Sequence, residues 1–403
     1  MALIPVAEAV AMVLAGAKPL PPKMAPLAEA AGRVLAEDIA ARTTQPPADI
    51  SAMDGYAVRA ADVAAVPVTL KIVAEIAAGH PLTREVKPGE AARIFTGGVM
   101  PAGADTVVIQ ENAARKNDTV TINVTTAAGK NVRRAGLDFK QGDVLLPKGR
   151  RLSARDLMLA AAMDCPALPV HRAAKMAVLC TGDELVPPGA PRKEGQIFYS
   201  NGFALMALAQ EEGCDVVDLG IVPDRVDDTV AAIRRARDRG ADILVTCGGA
   251  SVGEHDLVQK SLAAEGLALS FWKVALRPGR PVMHGRLGGM QVLGLPGNPV
   301  SAYVCALLFL VPLIRRLGGR GDLSLSTDSA VAGADLPAND ERMDFLRARL
   351  APGPDGALVA TPLPIQDSSM MAALAQADCL LIREAYAPAL KAGGRCAIVK
   401  LVF

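Results

Sequence analysis

Three carboxylates, three basic side chains and a run of glycines are the residues whose spacing could let this 403-residue chain do chemistry. Gly248, Gly249, Ser251 and Gly253 follow the apolar run Ile243 to Val245 and precede Glu254 and Asp256. Glycines after a buried strand let the backbone approach a ligand and aim successive N–H groups at phosphate oxygens. Taken alone, the stretch reads equally as a tight turn at a sheet edge. Glu184, Asp224 and Asp256 come from three separate loops and would repel one another without a cation among them. Oxygen donors beside phosphates suit magnesium, although each carboxylate singly is also an ordinary cap or turn residue. Lys273, Arg277 and Arg280 form the opposite set, with Pro278-Gly279 fixing their loop, and suit an oxyanion. Ser301 opens a helix, where hydroxyls and free N–H groups meet anions.

These side chains need a scaffold that brings distant loops together. From Lys175 the pattern alternates strand and helix: MAVLCT, a helix from Asn201 to Glu212, DVVDLGIV, a helix from Asp227 to Arg239, then DILVTC. A helix near Asp256 to Glu265, strands WKVAL and QVLGLPG and an apolar helix from Pro299 to Arg316 follow. That alternation predicts a parallel sheet covered on both faces, with ligands at the carboxyl ends of its strands. Each unusual loop follows an expected strand: Thr181 to Glu184, Val222 to Asp224, the glycine run, Arg277 to Arg280 and Leu295 to Pro299. Five loops converging on one edge point to a site far more strongly than any one of them.

The flanking segments read differently. Met1 to Arg42 predicts a helix starting near Pro5, a proline-rich turn and a second helix from Pro26 to Asp38. Short strands between Ile50 and Val132 predict a small β-rich piece, and Gly136 to Val170 returns to turns and one helix from Ala154 to Met163. The expected organisation is a domain of residues 1–42 and 136–173, an inserted β-rich lid at 43–135, an α/β domain at 174–318 and a C-terminal β-barrel or sandwich at 319–403.

Composition excludes several classes. Hydrophobic residues make up 51% and charged ones 21%, which places the chain among globular proteins. A net charge of +1 and 3% aromatics argue against a nucleic-acid partner. Seven cysteines without a CxxC pair read as reduced, buried thiols, and four histidines make no zinc pattern. The apolar N-terminal run has no basic residue before it and is broken by Pro5 and Glu8, so it reads as an amphipathic helix and not as a leader. No later run reads as a membrane span. The expected setting is cytoplasmic.

SAMDGYAVR (Ser51 to Arg59), FTGGVMPAGADTVV (Phe95 to Val108), TGDEL, GGASVGEHD, FWKVALRPGRP and GLPGNPVSA occur in this order. Together they resemble the molybdopterin molybdenumtransferase family, the MoeA-like proteins related to the C-terminal domain of gephyrin, over essentially the whole chain. The resemblance implies α/β plus β architecture in four domains, with a molybdopterin-binding α/β core, an inserted lid and a barrel-like end. It also implies a two-fold dimer and insertion of molybdate into adenylylated molybdopterin, with release of AMP and a requirement for Mg2+. The family's acidic positions fall on Asp54, Glu184, Asp224 and Asp256, with Glu184 and Asp256 as metal ligands. Its lid threonine falls on Thr96, its pterin-site lysine on Lys273 and its glycine-flanking prolines on Pro296 and Pro299. The molybdate-binding basic pair, usually lysines, is Arg277 and Arg280 here; Ser301, Arg342 and Ser368 match oxyanion-contacting positions. Asp367 stands where glycine is usual, Cys247 where Ser or Thr is usual, Ala250 where Val is commoner, and Ala48 and Ile50 where Phe and Asn precede SAMDGY. The resemblance further implies that each lid covers the other subunit's cleft and that the product passes to cofactor-synthesis enzymes or molybdoenzymes. An adenylyltransferase on the same core and a gephyrin-like scaffold are the rival readings. The intact acidic loops favour the enzyme.

Overall fold

The computed structural model describes residues 3–248, 257–353 and 356–401. Its central sheet has the strand order Asp215–Val222, Lys175–Thr181, Ile243–Cys247, Met290–Leu295, Met283–Leu287, Ala268–Phe271. Every residue of Ile243–Cys247 and Met290–Leu295 is buried, the mark of strands covered on both faces. Alternate side chains of Lys175–Thr181 go to opposite layers. Met176, Val178 and Cys180 pack beneath helices Asn201–Glu211 and Pro299–Cys305, whereas Ala177 and Leu179 meet Ala232, Ile233 and Val258 of helices Val226–Asp238 and Leu257–Ala264. The first of these cores also takes in Val6, Ala9 and Val13 of the N-terminal helix Val6–Leu14.

Two expectations fail in this region. The sheet is mixed: four strands run parallel, but Met283–Leu287 runs antiparallel both to Met290–Leu295 and to the edge strand Ala268–Phe271. The apolar run WKVAL, expected as a sheet strand, leaves the sheet instead. Its end, Leu276–Arg277, pairs in parallel with Met343 and Asp344 of the C-terminal body. Val274 and Leu276 are fully buried there. Burial between two bodies and burial inside a sheet leave the same apolar signature.

Helix Pro299–Cys305 continues through a π-helical turn, Ala306–Leu310, into Val311–Leu317. By length and composition Pro299–Leu317 could cross a membrane, contrary to the sequence reading, but 78% of its apolar window is buried inside the protein. It is the central core helix, with Phe309, Leu310 and Leu313 fully enclosed.

The N-terminal segment returns to pair with residues far along the chain. Pro22–Pro26 runs antiparallel to Ala167–His171, and Ile39–Ala40 to Val144–Leu146. Leu35, Leu146, Leu152, Leu168 and Val170 share one core. The expected helix over Pro26 to Asp38 is absent; a single 3-10 turn, Leu27–Glu29, stands there. Gly32 has φ +72°, and Val34 and Leu35 bridge to Arg151 and Val170, so tertiary pairing satisfies a backbone that a helix would have used.

Between these returns, Ile50–Ser51 pairs antiparallel with Val132–Arg133, so the chain enters and leaves the β-rich piece side by side. That piece is a six-stranded sheet in the order Thr106–Ile109, Gly55–Val58, Glu90–Ile94, Val68–Ile76, Thr119–Ile122, Ala113–Lys116. At the C-terminus, Met343–Pro352, Leu358–Pro362, Asp328–Ala332, Arg395–Lys400 and Cys379–Arg383 pair in that order, and the last returns to the first. This is a closed five-stranded barrel, which leaves no exposed edge among these strands.

Candidate active site

The carboxyl ends of the parallel strands open into a cleft of about 750 Å³ against the barrel. It is lined by Glu184, Asp224, Gly248, Arg277, Arg280, Pro296, Ser301 and Ser368 among the sequence-selected residues. All five expected loops therefore contribute to one cavity. Pro299 lines an adjoining cavity of about 520 Å³. Gly249, Ser251, Gly253, Glu254 and Asp256 lie outside the described residues.

Glycine is required where these loops meet. Gly182 has φ +151°, and a Cβ there would lie 2.4 Å from a carboxylate oxygen of Glu184, which folds back over it. Gly248 has φ +92°, and its Cβ would lie 2.5 Å from the Thr181 carbonyl oxygen. At Gly248 the obstacle is backbone, so a side chain there would move a wall of the cleft, whereas at Gly182 it is the mobile end of the Glu184 side chain and the positive φ itself that disfavour a side chain. Asp224 is set by its backbone N–H, which donates to Oδ1 of Asp183 at 3.2 Å. The side chains of Glu184 and Asp224 are exposed, and neither has an ion-pair or hydrogen-bond partner among the described residues. Two oxygen donors on one wall without a counter-cation fit a hard divalent ion. Among the described residues, no group of three or more His, Cys, Asp or Glu side chains converges as a complete metal site.

The opposite wall is already paired. Arg277 forms ion pairs with Asp340 and with Asp344, the latter at 3.3 Å. Arg342 meets the same Asp340 at 2.7 Å and lies outside the cleft. Hydrogen bonds from Arg342, from its side chain and then its backbone, hold Asp340 well below the usual carboxylate range, whereas burial raises Asp344. Arg277 is thus a brace between the α/β body and the barrel. Arg280 is exposed and its guanidinium has no protein acceptor among the described residues. The two arginines that the sequence grouped together differ in availability.

Ser301 is 4% exposed and lies in the first turn of its helix, where it borders the cleft. Three residues not selected from the sequence support this wall, of which Asn298 lines the cleft itself. Asn298 Nδ2 donates to Ser368 Oγ at 2.7 Å, and Asn201 Nδ2 donates to the Gly297 carbonyl at 2.7 Å. Arg347, 1% exposed inside the barrel, donates to the Asp367 carbonyl at 3.1 Å. The asparagines stood in plain view beside helix starts, but their partners lie 70 and 96 positions away. The unusual Asp367 does not line the cleft. Its carboxylate turns back to accept the hydroxyl and N–H of Ser369, which hold it below the usual carboxylate range.

Three sequence-selected residues fall elsewhere. Lys273 lies outside the cleft, with its ammonium 5.7 Å from the Trp272 ring centre. Asp54 and Thr96 meet each other in the β-rich piece. Oδ1 of Asp54 accepts the Thr96 N–H at 2.8 Å and its hydroxyl at 2.9 Å, and these bonds hold the carboxyl below its ordinary range. Neither residue lines this chain's own cleft.

Known proteins match this arrangement along its length. Residues 4–163 match the MoeA N-terminal region (domain I and II), 177–316 a probable molybdopterin binding domain, and 329–401 the MoeA C-terminal region (domain IV). A molybdopterin molybdenumtransferase from Haemophilus influenzae is 37% identical over 360 residues, 89% of this chain and 88% of that protein. One from Bacillus subtilis is 34% identical over 388 residues, 94% of this chain and 90% of its own. A crystal structure of a molybdopterin biosynthesis MoeA protein from Pyrococcus horikoshii superposes with a TM-score of 0.85 at 30% identity, covering 100% of both chains. Matches of this extent, over three regions in one order, show that the chain belongs to the molybdopterin molybdenumtransferase family.

Proposed function

We propose that this enzyme of molybdenum cofactor biosynthesis inserts molybdate into adenylylated molybdopterin, releasing AMP in a magnesium-dependent reaction. The observation that carries the reading is the division of one cleft into an acidic wall and a wall bearing Arg280 and the buried hydroxyl of Ser301, with neither the acidic side chains nor Arg280 paired among the described residues. Glu184 and Asp256 would hold the magnesium, with Asp224 beside them. When bound, the metal would offset charge on the phosphate oxygens. The glycine run that begins at Gly248 would offer backbone N–H groups to the pyrophosphate. Arg280 and Ser301 hold the tetrahedral oxyanion, and Arg277 keeps their loop seated against the barrel through Asp340 and Asp344. The barrel loop at Ser368, tied to Asn298, closes the far side and limits water.

Asp54 and Thr96 enter this scheme through a homodimer in which each lid covers the partner's cleft. Incubating purified protein with adenylylated molybdopterin, molybdate and magnesium tests the reading. AMP release that needs both molybdate and magnesium supports it. Formation of the adenylate from molybdopterin and ATP would make the chain an adenylyltransferase. Absence of either reaction in folded protein would favour a scaffold.

A further inference from the structure

Strands Lys175–Thr181 and Ile243–Cys247 are parallel neighbours, and their register sets Cys180 opposite Cys247. Adjacent strands lie about 4.8 Å apart, within the roughly 4.4–6.8 Å Cα separation that a disulfide spans. Register partners in a parallel pair point to one face, and these two side chains enter the same apolar core. Both also line the cavity of about 520 Å³ beside the cleft, which gives a small solute a path to sulfurs that are otherwise 2% exposed. The two sulfurs interact with each other, and the Cys247 sulfur also accepts from Asn201 Nδ2 at 3.1 Å and from the Gly248 N–H and, as a thiol, donates to the Pro296 carbonyl at 3.2 Å. The pairing with Cys180, and then the Asn201 and Gly248 donors, favour the Cys247 thiolate against burial and the Pro296 carbonyl, while the same pairing, and then burial, push the Cys180 thiol up.

The other cysteines lack this arrangement. Cys165 sits in a separate core, and Cys379 and Cys396 lie in the barrel. Cys214 donates to the Ala174 carbonyl at 2.9 Å, beyond the opposite end of the strand. Cys305 shares the core but faces the Gly279 carbonyl and does not line the second cavity.

We propose that Cys180 and Cys247 form a redox-active dithiol, a modification site that hydrogen peroxide closes into a disulfide beneath the cleft. The Cys247 thiolate attacks one peroxide oxygen, the O–O bond breaks, and the departing hydroxide takes a proton to become water. Cys247 is then a sulfenic acid. The Cys180 sulfur attacks it, the S–O bond breaks, and the hydroxide leaves with the Cys180 proton as a second water. Two thiols supply two electrons and two protons, and one peroxide becomes two waters. The closure acts on the cleft because Cys180 leads directly into Thr181 and Gly182, and Cys247 into Gly248. The Gly248 backbone is already packed on the Thr181 carbonyl, so neither strand end can move without the loops it carries.

The test uses full-length reduced protein treated with hydrogen peroxide. The expected result is a mass loss of about 2 Da and a non-reduced Cys180–Cys247 peptide pair. Turnover falls with the crosslink and returns with dithiothreitol. Cys305→Ala still forms the crosslink. In Cys180→Ala and Cys180→Ser, Cys247 gains oxygen without forming the crosslink. A Cys247–Cys305 pair, or oxygen addition at Cys247 of the wild type without a crosslink, would overturn the assignment. A complete crosslink with unchanged turnover would overturn its action on the cleft. That last effect rests on the proposed site, whereas the crosslink is read by mass alone, so failure of one is distinguishable from failure of the other.

Discussion

On one wall of the cleft, Glu184 and Asp224 stand on strand-end loops, and among the described residues neither carboxylate has a hydrogen-bond donor or ion-pair partner. On the other, Arg277 already meets Asp340 and Asp344, and Asn298 already holds Ser368. The contrast separates residues that await a ligand from residues that shape its container. Carboxylate oxygens facing one cleft are the donors a hard divalent cation takes, so the acidic wall is where a metal would add its charge. The braced wall has part of its pairing in place before a ligand arrives, through Arg277 with its two aspartates and Asn298 with Ser368. It can hold an oxyanion with little reorganisation, the condition under which electrostatic stabilisation is strongest.

The largest expected effect falls on the unpaired wall. Glu184→Gln and Asp224→Asn should each cut AMP release by about 100-fold or more while leaving the unfolding midpoint unchanged, because each side chain is exposed and unpartnered. A steady-state assay beside a thermal melt checks both halves. Full turnover in both variants at saturating magnesium would assign these carboxylates to ordinary turns.

A second effect tests whether the lid completes that wall from another subunit. Asp54→Ala and Glu184→Gln should each inactivate a homodimer. In a mixed dimer both lesions fall on one site, and the other site receives an intact lid and an intact cleft. Random reassociation of equal amounts gives half mixed dimers, hence roughly a quarter of wild-type activity from two inactive proteins. A mixture shown to exchange subunits that stays inactive would place lid and cleft in the same chain.

The braced wall should split its two arginines. Arg280→Ala should raise the molybdate concentration needed by about tenfold or more, since a free guanidinium is lost. Arg277→Ala should change that concentration less and instead lower the unfolding midpoint by roughly 2 °C, because Asp344 loses its cation in a buried setting. The two variants compared in the same molybdate titration and melt decide it. Equal kinetic losses would mean that Arg277 reaches the oxyanion despite its carboxylates.

How far the sequence reached follows the same division. Glu184, Asp224, Gly248, Arg280 and Ser301 were legible because glycines and charged residues just past apolar runs mark strand ends, and strand ends share an edge. The brace on Arg277 was not, since Asp340 lies 63 positions away and its pairing depends on how the barrel docks. For the same reason RPGRP read as a pair of equal cations. WKVAL was read as a strand of the central sheet because its apolar pattern does not say which body buries it. The antiparallel strand Met283–Leu287, next to the edge strand Ala268–Phe271, was missed in consequence. Pro26 to Asp38 misled in the other direction: its composition allows a helix, but long-range bridges to Arg151 and Val170 claim its backbone. Cys180 and Cys247 showed no motif, since 67 residues separate two positions that strand register makes neighbours.

The smallest expected effect concerns a carboxylate that already has its donors. Asp54 accepts the Thr96 N–H and hydroxyl, and both lower its carboxyl from the ordinary 3.8, the N–H more than the hydroxyl. Thr96→Val removes the hydroxyl and keeps the N–H, so the Asp54 carboxyl should move up only part of the way. The sign for stability follows. A carboxyl lowered in the folded lid contributes stability that is present above its unfolded value and is lost as pH falls through the folded value. Thr96→Val should therefore bring the loss of lid structure to a slightly higher pH, on the acid side of 3.8. Titration of the Asp54 carboxyl carbon by NMR, in wild type and variant, reads this directly. An unchanged midpoint would mean that the Thr96 hydroxyl does not bind the carboxylate in solution, leaving Asp54 more like the unpartnered Glu184 and Asp224 than the paired group described here.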